Sequence, residues 1–349
     1  MDFRKLIMKH CRLIYRLTVL FVFCLVVSLF YGCTKEIGET TCPNKFTSIR
    51  LSEPLLNGYT KALNEGDYEK AINTLRVIVA PQNPQSESDY IANKLFSGEE
   101  LNNNNIVIDH VPVGTVQIFV FANEASVGKN YDNLSTFLQD INNTDDKLLI
   151  VDPDRTYFPK RGSNADWRIG LPMSWSDRNV LINEPNGTPQ EIPIDLQRCV
   201  SKLRITMNNS LSETITIKEM MFDKFMSDRF YLFWEEQLDV PQNITYEAKT
   251  YSDLNITIPE NSSQELLLYI YPSHARIGTG SSPYRIGFAT TVDTYDLQPL
   301  MDGGSEMSWI SRNTQVNIDA TLGANANIEI KYSITEDWDK KDVTIPPFN

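Results

Sequence analysis

Histidine, cysteine and positive charge are what this 349-residue sequence has least of. Of its three histidines, only His110 and His274 lie beyond the first 32 residues. Neither sits in an H-E-x-x-H or other paired spacing, which removes a catalytic zinc site from consideration. No G-x-S-x-G elbow and no G-x-x-x-x-G-K-[ST] loop occurs, so an esterase nucleophile and a phosphate cradle both lack their sequence. Gly278–Ser282 is glycine-rich, but no lysine follows it, and it reads as a loop between strands. A D-x-[DN]-x-[DN]-G loop is also missing, so Asp145/Asp146, Asp152/Asp154 and Glu235/Glu236 read as solvated charge, not as a calcium site. No metal and no cofactor are expected. With no nucleophile beside an evident base, the sequence does not read as an enzyme.

Five cysteines fix no disulfide framework. Cys11 and Cys24 fall in the opening segment, while Cys42 and Cys199 either pair in an oxidising compartment or stay as buried thiols. Lysine and arginine total 32 against 45 acidic residues, a formal net charge of −13. Residues 1–32 hold five of the basic groups (Arg4, Lys5, Lys9, Arg12, Arg16) and one acid (Asp2), so the remainder has 27 basic against 44 acidic, a net −17. Such a surface repels phosphate backbones, and nucleic acid is excluded as a partner.

A long hydrophobic run is the last absence. The apolar stretch Leu17–Tyr31 is about 15 residues, short of the roughly 20 a spanning helix needs. It follows basic residues and ends at Gly32-Cys33, the arrangement of a lipoprotein signal peptide over residues 1–32. Lipid attachment is expected at Cys33, which would anchor the chain to the outer membrane by several acyl chains. The competing reading is a plain signal anchor with an incidental cysteine.

What is present is β patterning. Phe46–Leu51 alternates in part, with Thr47, Ile49 and Leu51 on one face. Tyr59–Thr74 has helix-forming composition and reads as a loop or short helix between strands. Leu75–Ala80 is a short apolar run, as in a strand buried on both faces. Val107–Val111 and Val116–Ala122 flank the turn residues Pro112-Val113-Gly114. One helix is expected at Leu134–Ile141, and residues 152–190, rich in Pro, Gly, Asn and Trp, read as long loops. Period-two alternation runs through Leu254, Ile256 and Ile258, through Val316–Leu322, and through Ile328, Ile330, Tyr332 and Ile334. The last two runs are joined by the hairpin-length Gly323–Asn327. Many short strands with almost no amphipathic helix predict an all-β chain of β-sandwiches. The boundary between the two domains is placed near residue 195, giving 33–195 and 196–349.

Several phrases in order resemble the fimbrillin family, subunits of the type V pili of Gram-negative bacteria. They are INTLRVIVA at 72–80 with Asn93 beyond it, VPVGTVQIFVFANE at 111–124, LPMSW at 171–175 and LQRCVSKLRITM at 196–207. The end of the chain adds WISRNTQVNIDATL at 309–322, IEIKYSITEDW at 328–338 and VTIPPF at 343–348. The resemblance implies two transthyretin-like (Ig-like Greek-key) sandwiches in tandem and assembly by strand exchange with other fimbrial subunits. It also implies a trypsin-like protease that cuts behind the first strand, here Phe46–Leu51, with Lys61-Ala62 the closest position to the cleavage point. Stalk members usually have arginine there, so an uncut, lipid-bound anchor subunit stands beside the stalk reading. The donor strand would come from Asn327–Phe348, with Ile328, Ile330, Tyr332 and Ile334 as its apolar face. Four such side chains bury on the order of 6–12 kcal/mol gross. From a different class, a surface glycan-binding lipoprotein predicts an exposed row of two or more of Trp167, Trp175, Trp234, Trp309 and Trp338.

Overall fold

The computed structural model describes residues 45–52, 69–102, 106–127, 129–142, 148–150, 170–227, 229–233, 245–275 and 281–336. The chain divides into Met1–Lys45 and Phe46–Asn349, and every element described here lies in the second unit. Among the described residues it is all β apart from short helical pieces and one longer helix, α1 (Leu134–Asn142), where the sequence predicts it.

The first sandwich uses β1 (Phe46–Ser52), β2 (Thr74–Pro81), β3 (Ala92–Ser97), β4 (Val107–Pro112) and β5 (Gly114–Ala122). Beyond α1, β6 (Leu148–Ile150) lies outside it, and β7 (Met173–Ile182), β8 (Gln190–Pro193) and β9 (Gln197–Arg198) complete it. A three-stranded sheet β4–β1–β8 faces a five-stranded sheet β3–β2–β5–β7–β9. Between them lie Ile49, Leu51, Ile108 and Ile192 from one side and Leu75, Val77, Val79, Ile118 and Val120 from the other. The Pro112-Val113-Gly114 turn therefore passes the chain from one sheet to the other, with Gly114 at φ 125, open to glycine but strained for other residues.

The second sandwich contains β10 (Ser201–Asn209), β11 (Ile215–Ser227), β13 (Tyr246–Tyr251), β14 (Ile256–Ile258), β15 (Ser263–Ile270), β16 (Arg285–Thr290) and β17 (Thr294–Pro299). It is completed by the two-residue strands β18 (Met301–Asp302) and β19 (Ser305–Glu306), then β20 (Thr314–Leu322) and β21 (Ile328–Glu336). Among the described residues the intervening β12 (Arg229–Tyr231) pairs only with β6. Sheet β15–β10–β20–β21–β18–β19 faces sheet β13–β11–β16–β17 over a core that includes Leu203, Ile205, Phe222, Phe288, Tyr295 and Ile318. β20 and β21 form the expected hairpin, paired without a break from Thr314↔Glu336 to Leu322↔Ile328.

β2 is buried on both faces because a third cluster covers the outer side of its sheet. Ile78, Phe119 and Phe121 meet Tyr131 and Phe137 of the α1 region and Leu232 and Phe233 beyond β12. Phe119–Phe233 and Phe119–Phe137 stack edge to face at 5.2 and 5.3 Å, an arrangement worth about 0.5–1.5 kcal/mol per pair beyond area burial. Tyr269 and Tyr271 of the second sandwich close this cluster, so one apolar layer joins the two halves. Polar contacts reinforce the seam. Glu69, five residues ahead of the start of β2 at Thr74, is buried; its carboxylate accepts from Lys202 Nζ at 2.7 Å and from the Tyr269 hydroxyl. Arg198 Nε donates to the Glu69 carbonyl at 2.8 Å and its Nη1 to Asn313 at 3.3 Å.

Two expectations fail in instructive ways. Residues 152–190 were expected as loops, yet Met173–Ile182 is a ten-residue strand. The Leu254–Ile258 alternation yields strand only over Ile256–Ile258, because Asp253 and Asn255 adopt left-handed backbone at φ 58 and 51. Of Tyr59–Thr74, residues 59–68 lie outside the described residues.

Candidate functional site

β1 is the element on which the expected assembly chemistry turns. It occupies the centre of its sheet, antiparallel to β4 and parallel to β8. The alternation read from sequence is the burial pattern observed: Thr47, Ile49 and Leu51 point inward, with both aliphatic residues fully buried. Its pairing with β8 runs from Ile49↔Gln190 to Ser52↔Pro193 and does not extend to Thr47 or Ser48. Its pairing with β4 is irregular between Thr47 and Ile49. At the deep end, Leu51 N–H donates to Ile106 O at 3.0 Å and Ile194 N–H donates to Ser52 O at 2.9 Å. β1 is thus held tightly from Ile49 onward and loosely before it.

The outward side chains add little. Arg50 pairs with Glu191 at 3.1 Å, both about half exposed, an ion pair worth at most about 1 kcal/mol. Ser48 Oγ donates to Asp109 Oδ1 at 2.6 Å. Burial of Ile49 and Leu51 contributes about 1.5–3 kcal/mol each, beside the backbone ladders to β4 and β8. Removing β1 would leave β4 and β8 with unpaired edges beside open apolar pockets, the state that an incoming strand satisfies.

At the entry to β1 lies a pocket of about 380 Å³, lined by Phe46, Thr47, Ser48, Asp109, His110 and the loop Pro185–Pro189. Phe46 is 47% exposed, with its ring 6.5 Å from that of His110. His110 holds φ 61, a left-handed conformation that histidine, like asparagine and aspartate, adopts more readily than other non-glycine residues.

Three of the phrases that carry the family resemblance, at 72–80 with Asn93, 111–124 and 171–175, meet at a different place, a buried polar network on the outer face of the β2–β5 sheet. Arg76 Nη2 donates to Glu124 Oε1 and Asp132 Oδ1, each at 2.7 Å, and Nε to Glu124 Oε2 at 3.2 Å. Its Nη1 reaches Asn93 Oδ1 at 3.1 Å, and Asn93 Nδ2 donates to Tyr131 O at 2.7 Å. Burial opposes the Arg76 charge, but the hydrogen bonds to Glu124 and Asp132 outweigh it and its pKa ends raised. The same hydrogen bond from Arg76 lowers Asp132 below the ordinary carboxylate value. Asn123, left-handed at φ 57, donates to Ala71 O at 2.8 Å and Leu171 O at 2.7 Å and accepts from Asn73 N at 2.9 Å. Sequence reading had the phrases and missed the network, because its members are brought together only by folding.

Ile328, Ile330, Tyr332 and Ile334 share one face of β21, but that strand is laddered to β20 within its own sandwich. Ile330 is in the core, Ile328 and Tyr332 pack against it, and Ile334 is 45% exposed. Cys199 is fully buried beside Ser174 and Arg312, and burial pushes its thiol pKa up. Among the described residues no group of three or more metal-ligating side chains occurs, and no helix is long and apolar enough to cross a membrane. Of the tryptophans, Trp309 is 57% exposed and Trp175 is packed against the first core. Cys33, Cys42, Lys61, Ala62, Trp167, Trp234 and Trp338 lie outside the described residues, as do the three acidic pairs and Gly278–Gly280.

The family model for the fimbrillin-A associated anchor proteins Mfa1 and Mfa2 matches residues 84–344, three quarters of the chain. The chain belongs to this family. The family places it among proteins of cell-surface fimbriae, structural components that associate with other fimbrial subunits. Solved structures similar to it include the tip fimbrial protein Mfa3 from Porphyromonas gingivalis, at 16% identity and TM-score 0.49, covering 83% of this chain and 98% of that one. Fimbrilin FimA from Porphyromonas gingivalis is 12% identical at TM-score 0.46, covering 84% and 98%. A fimbrial assembly protein from Parabacteroides distasonis is 12% identical at TM-score 0.44, covering 84% and 99%. No curated protein matches the chain.

Proposed function

We propose that this protein is a structural fimbrial component, exported as a lipoprotein on Cys33 and joined to other subunits by strand exchange at the position of β1, in support of adhesion. The observation that carries the reading is β1 itself. It is central in a three-stranded sheet, buries Ile49 and Leu51, and is separated from β2 by a connection whose single basic residue between Ser52 and Glu69 is Lys61. A trypsin-like protease cutting after Lys61 would turn β1 into a dissociable piece and leave a mature chain starting at Ala62. A donor from within Asn327–Phe348 of a neighbour would then complete the sheet. Such a joint persists because it opens slowly.

Left uncut, the same molecule remains lipid-bound at the outer membrane, with its own β1 seated, as the fimbrial anchor. The family description names anchor proteins, which favours this form. N-terminal analysis of the protein from isolated outer membranes and fimbriae distinguishes the two. A start at Ala62 in detergent-stable multimers identifies a stalk subunit; an acylated Cys33 on a full-length chain bound to other subunits identifies the anchor. Monomer alone, with Lys61 uncut and no subunit attached, refutes both.

A further inference from the structure

We propose that the end of the first sandwich at which β1 begins rests against the lipid surface that holds Cys33, with Phe46, Val113 and Leu181 entering its interfacial layer. The proposal rests on the lipoprotein reading and specifies which face of the uncut molecule meets the membrane. Among the described residues, three of the large apolar side chains left exposed gather at this end: Leu181 at 61%, Phe46 at 47% and Val113 at 37%. Strand pairing brings them there. Phe46 lies opposite Pro112, Val113 follows in the turn, and Gly114 and Thr115 lie opposite Ile182 and Leu181.

This is the free end of the sandwich. β5 and β7 pair from Gly114↔Ile182 to Ala122↔Met173. Just past the second pair, Asn123 bonds to Leu171 and Arg198 to Glu69, at the seam with the second sandwich. It is also the end at which the chain arrives from Cys33, because Phe46 opens β1. Residues 34–45 span at most roughly 45 Å when fully extended, so an acylated Cys33 keeps Phe46 within that reach of the bilayer. The contact requires β1 to stay seated, since β1 supplies Phe46. A cut after Lys61 would remove the tether and this part of the rim together.

The placing of the three side chains fits a lipid layer and not a protein groove. Thr47, Ile49 and Leu51 point inward, so Phe46 stands on the outer face of its sheet. Val180 and Ile182 are in the core, so Leu181 stands on the outer face of the opposing sheet. Val113 lies in the turn that crosses between the two sheets. The apolar groups therefore ring the tip at one level, where a fluid layer can meet all of them at once; a docked protein would cover one face. Aromatic and aliphatic side chains that enter the headgroup boundary hold a protein to a bilayer in proportion to the apolar area they bury. Charge selects the lipid. Glu87 and Asp89 follow β2, whose last residue Pro81 lies opposite Val116, and Asp109 and Glu184 belong to the same end. These carboxylates disfavour an anionic surface, and the contact is an apolar one to zwitterionic lipid.

The test uses the full-length acylated protein reconstituted into phosphatidylcholine vesicles. Cys42→Ser is included so that one introduced thiol takes an environment-sensitive dye, Cys199 being fully buried. Dyes at Val113→Cys and at Leu181→Cys, both exposed positions, are expected to shift to the blue and to lose emission when nitroxide-labelled lipid is added. A dye at Val292→Cys, exposed in the β16–β17 turn of the second sandwich, is expected to do neither. Retention on the vesicles with the three dyes behaving alike would overturn this inference and leave the anchor reading standing. Quenching at Leu181 without quenching at Val113 would show the molecule lying on its side and would overturn the end-on contact. A chain that carries no acyl group and is not retained by the vesicles would overturn the inference together with the lipoprotein reading.

Discussion

Replacing Glu124 with glutamine leaves the Arg76 guanidinium, only 3% exposed, without its buried counter-charge. Removing one partner of a buried ion pair costs about 3–5 kcal/mol, because the other charge stays desolvated. Asp132 still reaches Arg76 at 2.7 Å, but its side chain is 68% exposed and compensates weakly. The expected loss is therefore near the lower end, about 3 kcal/mol. Arg76→Met should cost a similar amount by stranding the carboxylate. Replacing both, Arg76→Met with Glu124→Leu, removes the desolvation problem and should recover most of the loss, since an apolar pair of similar volume is often neutral. Urea unfolding followed by tryptophan fluorescence reads this directly. With a slope of about 3 kcal/mol/M, each single variant lowers the midpoint by about 1 M and the double variant by much less. Single variants that shift the midpoint by under about 0.3 M, or a double variant as unstable as the worse single, would refute the assignment of this network as the fastening of residues 123–132 over the sheet.

Leu51→Ala should cost about 2–5 kcal/mol at a fully buried site and, in chain nicked after Lys61, raise the rate at which the β1 fragment dissociates on size exclusion. The lowered pKa of Asp132 gives a signed pH dependence. Its contribution is present above the unfolded carboxylate value of about 3.9 and is lost as pH falls through the folded value. Melting temperature should thus fall more steeply below pH 4 in the parent than in Asp132→Asn. Gly170→Ala should lower thermal stability strongly. A Cβ there would stand 2.5 Å from both Ala71 O and Asn123 Nδ2, at a φ of +67 that alanine rarely adopts.

Where local pattern and tertiary environment agree, the sequence could be read directly. Thr47, Ile49 and Leu51 alternate because one face of β1 meets a core, and the β20–β21 hairpin alternates for the same reason. Met173–Ile182 escaped because Ser174, Asp177, Arg178 and Asn179 interrupt any alternation; the strand is held by pairing with β5 and β9. Ile334 is exposed although its period places it with buried Ile330; among the described residues the outer edge of β21 is paired only at Met301↔Lys331. Two of the phrases, Leu-Arg-Val-Ile-Val-Ala and Ala-Asn-Glu, were legible as text but not as structure. An arginine inside an apolar run looks like an interruption until Glu124, 48 positions later, is seen to neutralise it. The β1 pocket has no local signature, since it joins residues near 46, 110 and 187.

Glu69 sets a limit on how far the front of the molecule can be peeled back. A pull on the chain ahead of β2 reaches first a carboxylate clasped by Lys202 and Tyr269 and a carbonyl held by Arg198, all belonging to residues more than a hundred positions away. A tear begun at the first strand meets this knot before it can run into Leu75 and the sheet behind it. On the strand-exchange reading proposed above, the piece given up and the part that bears load are thereby kept mechanically separate.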